Sequence, residues 1–292
     1  MRMLHNYLEA QDVAQQIRME RSGGATSSFF VLEGRNDQRT LYTFVDDEHC
    51  EIVIAGKKEN VVGAIQILDE EGIPGVVGLI DTDAVGADYQ SENLIDTGVR
   101  DMDVIVFLSE AFDRFIFERA DPDKLKAFEE KSGKTLRRKV LDACVPIGCL
   151  WLVRYHMQVD LKFKGLKYNF VDEDDLSIDE SALLNDVLDQ SCSGIDRSEV
   201  ERRYKIIRRQ PFSAEDICRG HDLAEVTGIA LRKCVADLRC RKTGKPDVRT
   251  WRSEVELGWR LSFGSAQFQA SPLMGKIQDW EDEHQPYTVL KH

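Results

Sequence analysis

The feature that most limits how this chain can fold is a series of short apolar segments early in the sequence, separated by stretches with helical spacing. Residues 27–33 (SSFFVLE) are apolar, aromatic and too short for a helix, so they read as a buried strand. Gly34 breaks the run, and residues 36–45 then place Leu41, Phe44 and Val45 at helical spacing. Residues 50–55 (CEIVIA) predict a second strand, ended by Gly56. Residues 60–70 bring Val61, Ala64, Ile65 and Leu68 onto one helix face. Residues 75–80 (GVVGLI) predict a third strand and residues 104–108 (VIVFL) a fourth. Strands and helices alternating at this spacing favour parallel pairing through right-handed crossovers. The expected fold class is α/β, an open parallel sheet over residues 1–120 followed by a mainly helical region over 121–292 packed on it.

In the second region, helical patterns cover residues 109–119, 122–131, 135–144, 178–188, 198–208 and 214–238. Residues 149–155 and 161–170 look β-like between them. Charge divides along the same line. Of 39 Lys+Arg and 52 Asp+Glu, residues 1–120 hold 10 and 23, which accounts for the whole net charge of -13. The neutral remainder concentrates its basic residues in two stripes. Residues 197–210 (RSEVERRYKIIRRQ) include Arg202, Arg203, Arg208 and Arg209, and residues 232–252 include Arg239, Arg241 and Lys242. Such stripes either hold a nucleic-acid backbone or are solvated helix surface. No run of 18 apolar residues occurs and the N-terminus lacks an apolar signal core, so neither a membrane span nor secretion is expected. Seven cysteines without a CxxC pair read as reduced thiols of a cytoplasmic protein.

Ligands of open α/β sheets gather beyond the carboxyl ends of the strands. Glu33 ends the first strand, and Asp81 and Asp83 follow the third in the order IDTD. Residues two apart in extended chain point the same way, so Asp81 and Asp83 can face one point with Glu33 beside them. Hard carboxylates arranged in this way suit Mg²⁺ or Mn²⁺, although a DxD in a loop also serves as a turn or helix cap. Asp37, one helical turn past Glu33, can point into the same cleft. Asp101 and Asp103 are expected at the opposite end of the fourth strand. Lys57 or Lys58 offers a point charge for a phosphate, or a solvated helix start. His221 and Asp222 form either a proton-handling pair or a surface histidine beside a helix cap.

The segments VLEGRND (31–37), AGKKENVV (55–62) and GLIDTDAV (78–85) resemble a Toprim domain, the fold shared by topoisomerases, primases and overcoming-lysogenization-defect nucleases. The run from Gly56 to Asn60, with PIGCLWLV (146–153), LKFKGLKY (161–168) and RGHDLAEV (219–226), is similar to a stand-alone Toprim-like family that includes the nuclease subunit of the PARIS anti-phage system. The resemblance spans roughly residues 27–240. It implies that Glu33, Asp81 and Asp83 bind metal and catalyse hydrolysis of phosphodiesters in DNA or in RNA such as tRNA. It also implies an ABC-type ATPase partner, release as a toxic effector in antiviral defence, and homodimers; Trp251 and Trp259, read as exposed aromatics, are candidates for such an interface. Asp103 stands where relatives carry a Glu-rich segment and is a further metal candidate. No CxxC zinc element and no Walker GxxxxGK[ST] is present. Two other classes compete with the nuclease reading: a DxD transferase holding a metal–nucleotide, and a non-catalytic module that binds an ATPase.

Overall fold

The computed structural model describes residues 8–82, 90–191, 194–238 and 245–291. The chain falls into two compact units that do not divide at residue 120. Unit 1 comprises Met1–Met102 with Phe263–His292, and unit 2 comprises Asp103–Ser262.

Unit 1 is an α/β layer built on a four-stranded, all-parallel sheet in the order β2-β1-β3-β4. The strands are β1 (Ser28–Leu32), β2 (Cys50–Ile54), β3 (Val76–Ile80) and β4 (Leu94–Asp96). Every residue of β1 and β3 is buried, as expected for central parallel strands covered on both faces. Helices α1 (Ala10–Ser22) and α3 (Lys58–Glu70) cover one face. There Val13, Ala14 and Ile17 meet Val61, Ala64, Ile65 and Leu68 over Phe29, Val31 and Val53. Gly78 allows this close approach, because a Cβ there would stand 2.8 Å from both Val61 and Ile65. Helix α2 (Arg35–Leu41) follows β1.

The end of the chain returns to this unit as α13 (Ser265–Gln269) and α14 (Pro272–Glu283). The Phe268 ring stacks on Phe44 at 4.3 Å. Lys276 Nζ donates to Asp96 Oδ1 at 2.8 Å, and Trp280 Nε1 donates to Asn93 Oδ1 at 2.9 Å. The edge strand β4 is therefore tied to a helix nearly two hundred residues away.

The expected fourth strand is a helix. Residues 104–108 lie in α4 (Met102–Leu108), and β4 is the earlier LID segment. Met102, Val104, Ile105, Val106 and Phe107 are all buried. A helix apolar all round shows no 3.6-residue period and reads as a strand-like run. Asp101 and Asp103 are consequently not at the far end of a strand.

Unit 2 is helical: α5 (Glu110–Arg119), α6 (Pro122–Ser132), α7 (Leu136–Met157), α8 (Glu180–Gln190), α9 (Arg197–Ile207), α10 (Ala214–Ile217), α11 (Gly220–Arg232) and α12 (Arg252–Ser262). The β-like residues 149–155 continue α7 past Pro146, with Leu150, Leu152 and Val153 buried. Residues 161–170 contain no strand. The 214–238 pattern is two helices, broken at Cys218 and Arg219. By length and hydropathy α7 could cross a membrane, but it is the core helix of its unit, packed by α6, α9, α10 and α11. Trp259 is not an exposed interface residue. It is fully buried against Phe107 and Phe112, with ring centroids 5.4 and 6.2 Å away. Trp251 is exposed. Cys50, Cys144, Cys149, Cys218 and Cys234 are free thiols, and burial pushes the Cys50 thiol up to about 12, which leaves it protonated and unreactive at neutral pH.

Candidate functional site

The strand order 2-1-3-4 contains a change of direction. From β1 the chain steps outward to β2, then crosses to the other side of β1 for β3. The β1–β3 junction is therefore a switch point of the kind beyond whose carboxyl ends doubly wound sheets bind ligands. Leu32 pairs with Leu79 across this junction. The next residues out are Glu33 on one strand, and Ile80 and Asp81 on the other. Glu33 Oε1 accepts the backbone N–H of Asp81 at 2.9 Å. A hydrogen bond from a backbone amide stabilises the charged carboxylate and fixes its direction.

The surroundings of this pair are polar and anchored. Thr82 N–H donates to Thr97 Oγ1 at 3.0 Å, and Thr82 Oγ1 donates to Asp96 Oδ1 at 3.0 Å. Lys276 holds the same Asp96 oxygen. Salt-bridging α14 to β4 thus fixes the residue between the two aspartates of the IDTD motif. Lys58 Nζ donates to the Asp81 carbonyl at 2.7 Å, so Lys58 rather than the exposed Lys57 reaches this end of the sheet. Asn60 is structural, because its amide donates to the Ala55 carbonyl at 2.8 Å and closes the turn into α3.

Asp37 accepts the Gly34 N–H at 2.9 Å and so caps the start of α2. Burial pushes its carboxyl up to about 6, the Gly34 hydrogen bond opposes this, and the negative charge of Asp101 adds to it. Asp101 is thus close enough to Asp37 for its charge to be felt there. A folded-state pKa above the unfolded value means the charged form is disfavoured by folding. The Asp37 contribution is fully present below about 4 and lost as pH rises through about 6. In EDTA, wild type should gain on the order of 1–2 kcal/mol of stability between pH 7 and pH 4.5 relative to Asp37→Asn, allowing for solvent screening. Chemical denaturation of both proteins at the two pH values checks this, and parallel curves would rule it out.

Other predicted site residues fall elsewhere. Asp83 lies outside the described residues, as do Arg239, Arg241 and Lys242. On α9, Arg202 is paired with Glu199 at 2.6 Å and Arg208 with Glu180 at 3.1 Å, while Arg209 is exposed and Arg203 partly buried. Two charges of this stripe are thus already answered within the protein.

His221 and Asp222 do not form a pair with each other. Asp222 is buried in the first turn of α11 and accepts the hydroxyl of Tyr168. Burial, then the Asp222 charge, drives the Tyr168 phenol far up, so it stays a donor. Two motifs singled out in the sequence, LKFKGLKY and RGHDLAEV, are joined by this bond. His221 Nδ1 instead lies 2.8 Å from Glu256 Oε1 and 3.8 Å from Asp103 Oδ2. Contact with Glu256 raises the imidazole pKa, and Asp103 adds to the effect, against burial and Arg252. Glu256 was missed in the sequence. Its signal is a carboxylate on the buried side of α12, next to Val255 and three residues before Trp259.

A scan of protein-family models and a search of curated proteins returned no match to this chain.

Proposed function

We propose that this protein is a metal-dependent phosphodiester hydrolase acting on nucleic acid, with Glu33, Asp81 and Asp83 as the ligands of Mg²⁺ or Mn²⁺. One observation carries the reading: two carboxylate residues leave adjacent central strands at the point where the sheet reverses its winding, and Glu33 Oε1 is held there by the Asp81 amide. The donor set is all oxygen and acidic, which suits a hard divalent ion. Burial is the main cause that raises the Asp37 pKa, and the charge of Asp101 adds to it; a cation bound nearby would favour the charged form of such a group. A bound ion of this kind would activate water and neutralise charge on the phosphate and leaving oxygen.

The chain's own groups do the rest. Glu33 and Asp81 would orient the ion, and the Thr82–Asp96–Lys276 hydrogen bonds hold Thr82 in place. Lysine and arginine side chains of α9, chiefly the exposed Lys205 and Arg209, would hold phosphates of the polyanion. The resemblance to the Toprim-like family extends the reading to a toxic effector of antiviral defence in the cytoplasm, acting on tRNA or another RNA, or on DNA, and governed by an ABC-type ATPase. Hydrolysis of labelled RNA and DNA should require Mg²⁺ or Mn²⁺ and vanish in EDTA. It should also fall steeply between 50 and 200 mM salt, about tenfold or more if several phosphates are held. Undiminished cleavage in EDTA would eliminate the proposal.

A further inference from the structure

Unit 2 gathers three metal-ligating side chains from three separate helices. Asp103 lies in the first turn of α4, His221 in the first turn of α11, and Glu256 in the middle of α12. One ligand atom from each lies within 4.8 Å of the other two. The separations from Nδ1 are 2.8 Å to Glu256 Oε1 and 3.8 Å to Asp103 Oδ2. Ligand atoms held about 2.1 Å from a tetrahedral ion stand roughly 3.4 Å apart, between these two values.

A second observation points the same way. The Glu256 side chain is only 8% exposed. Its Oε1 stands in ion pairs with His221 Nδ1 at 2.8 Å and Arg252 Nε at 3.3 Å, neither in good hydrogen-bond geometry. A buried carboxylate oxygen without a directed donor is costly unless a positive charge answers it. Asp103 is set up in a complementary way. It turns Oδ2 toward His221 while Arg260 approaches Oδ1 at 3.8 Å. A ligating carboxylate with an outer cationic partner on its second oxygen is a common support for a metal ion. Glu225 on α11 adds negative charge close to Glu256 and Arg252.

We propose that Asp103, His221 and Glu256 bind one divalent transition metal of the zinc class. An imidazole nitrogen with two carboxylates suits Zn²⁺, Co²⁺ or Mn²⁺ better than Mg²⁺ or Ca²⁺. Three protein ligands leave a fourth position for water. The ion would pin α4, α11 and α12 together, and its ligand set is separate from Glu33, Asp81 and Asp83.

The test uses the full chain carrying Glu33→Ala, Asp81→Ala and Asp83→Ala, so that the proposed site of unit 1 is disabled. Titration with Co²⁺ should give the visible bands of a low-coordinate cobalt site at one ion per chain, and Zn²⁺ should displace them. His221→Ala or Glu256→Gln on that background should weaken Co²⁺ binding at least tenfold while circular dichroism stays unchanged. Should either variant unfold, Asp103→Asn takes its place. No bound cobalt in the folded protein, or bands that survive these substitutions, would overturn the proposal and leave an ion-pair network. Because the proposed ligands of unit 1 are substituted, that failure is separable from failure of the hydrolase reading.

Discussion

Replacing Glu33 by glutamine is expected to lower phosphodiester hydrolysis by on the order of 10³-fold or more, about 4 kcal/mol of transition-state stabilisation. The substitution is chosen for what it preserves. A glutamine carbonyl can still accept the Asp81 N–H that Glu33 Oε1 now accepts at 2.9 Å, so the exit of β3 should stay in place. What is lost is the negative charge that would hold the ion. Thermal stability should be unchanged or slightly higher, since the substitution removes a partly buried negative charge while keeping its hydrogen bond. Loss of activity together with loss of fold would not support the account. Retained activity in a folded variant would remove Glu33 from the chemistry. Steady-state cleavage rates measured beside thermal melts separate these outcomes.

The largest structural effect is expected at Gly228. A Cβ there would stand 2.2 Å from the Thr250 carbonyl oxygen, a backbone atom that cannot swing aside. Thr250 is fully buried and ends a short 3-10 turn (Val248–Thr250) capped by Asp247, whose side chain accepts the Arg249 N–H. Thr250 Oγ1 also donates to the Asp247 carbonyl at 2.8 Å. Neither α11 nor this turn can retreat without opening the core around Leu231 and Val255. Gly228→Ala should therefore cost about 2–3 kcal/mol, a fall of roughly 5–10 °C in melting temperature for a unit of this size. Gly275→Ala is the control. It sits within α14 with nothing within 4 Å of the new methyl, and should be neutral or stabilise by up to about 1 kcal/mol. Equal melting of the two variants would mean that α11 does not pack as described.

Parts of this arrangement were legible in the sequence, for physical reasons. β1, β2 and β3 announced themselves because each is a short apolar run of β-forming residues with a glycine beside it. Their parallel order follows from the intervening helical pattern of α3. Glu33 and Asp81 could be placed because a polar residue ending a buried strand marks its carboxyl edge. Burial on all sides concealed α4, whose run of Val104 to Phe107 has no period to read. It concealed the second half of α7 in the same way. β4 is three residues long and held by contacts with α14, so no local signal could find it. The Asp103–His221–Glu256 group is invisible locally, because its members lie 35 or more residues apart in sequence and meet only through the packing of α4, α11 and α12.

The central claim is that carboxylates at the β1–β3 junction drive cleavage of nucleic acid, and it is most directly tested in cells. Wild type and Glu33→Ala would be induced to equal levels, followed by sequencing of total RNA ends and of DNA breaks. The account predicts new, discrete ends in one of these polymers with the wild type and their absence with the folded variant. Identical ends, or equal toxicity without any new ends from either protein, would contradict it.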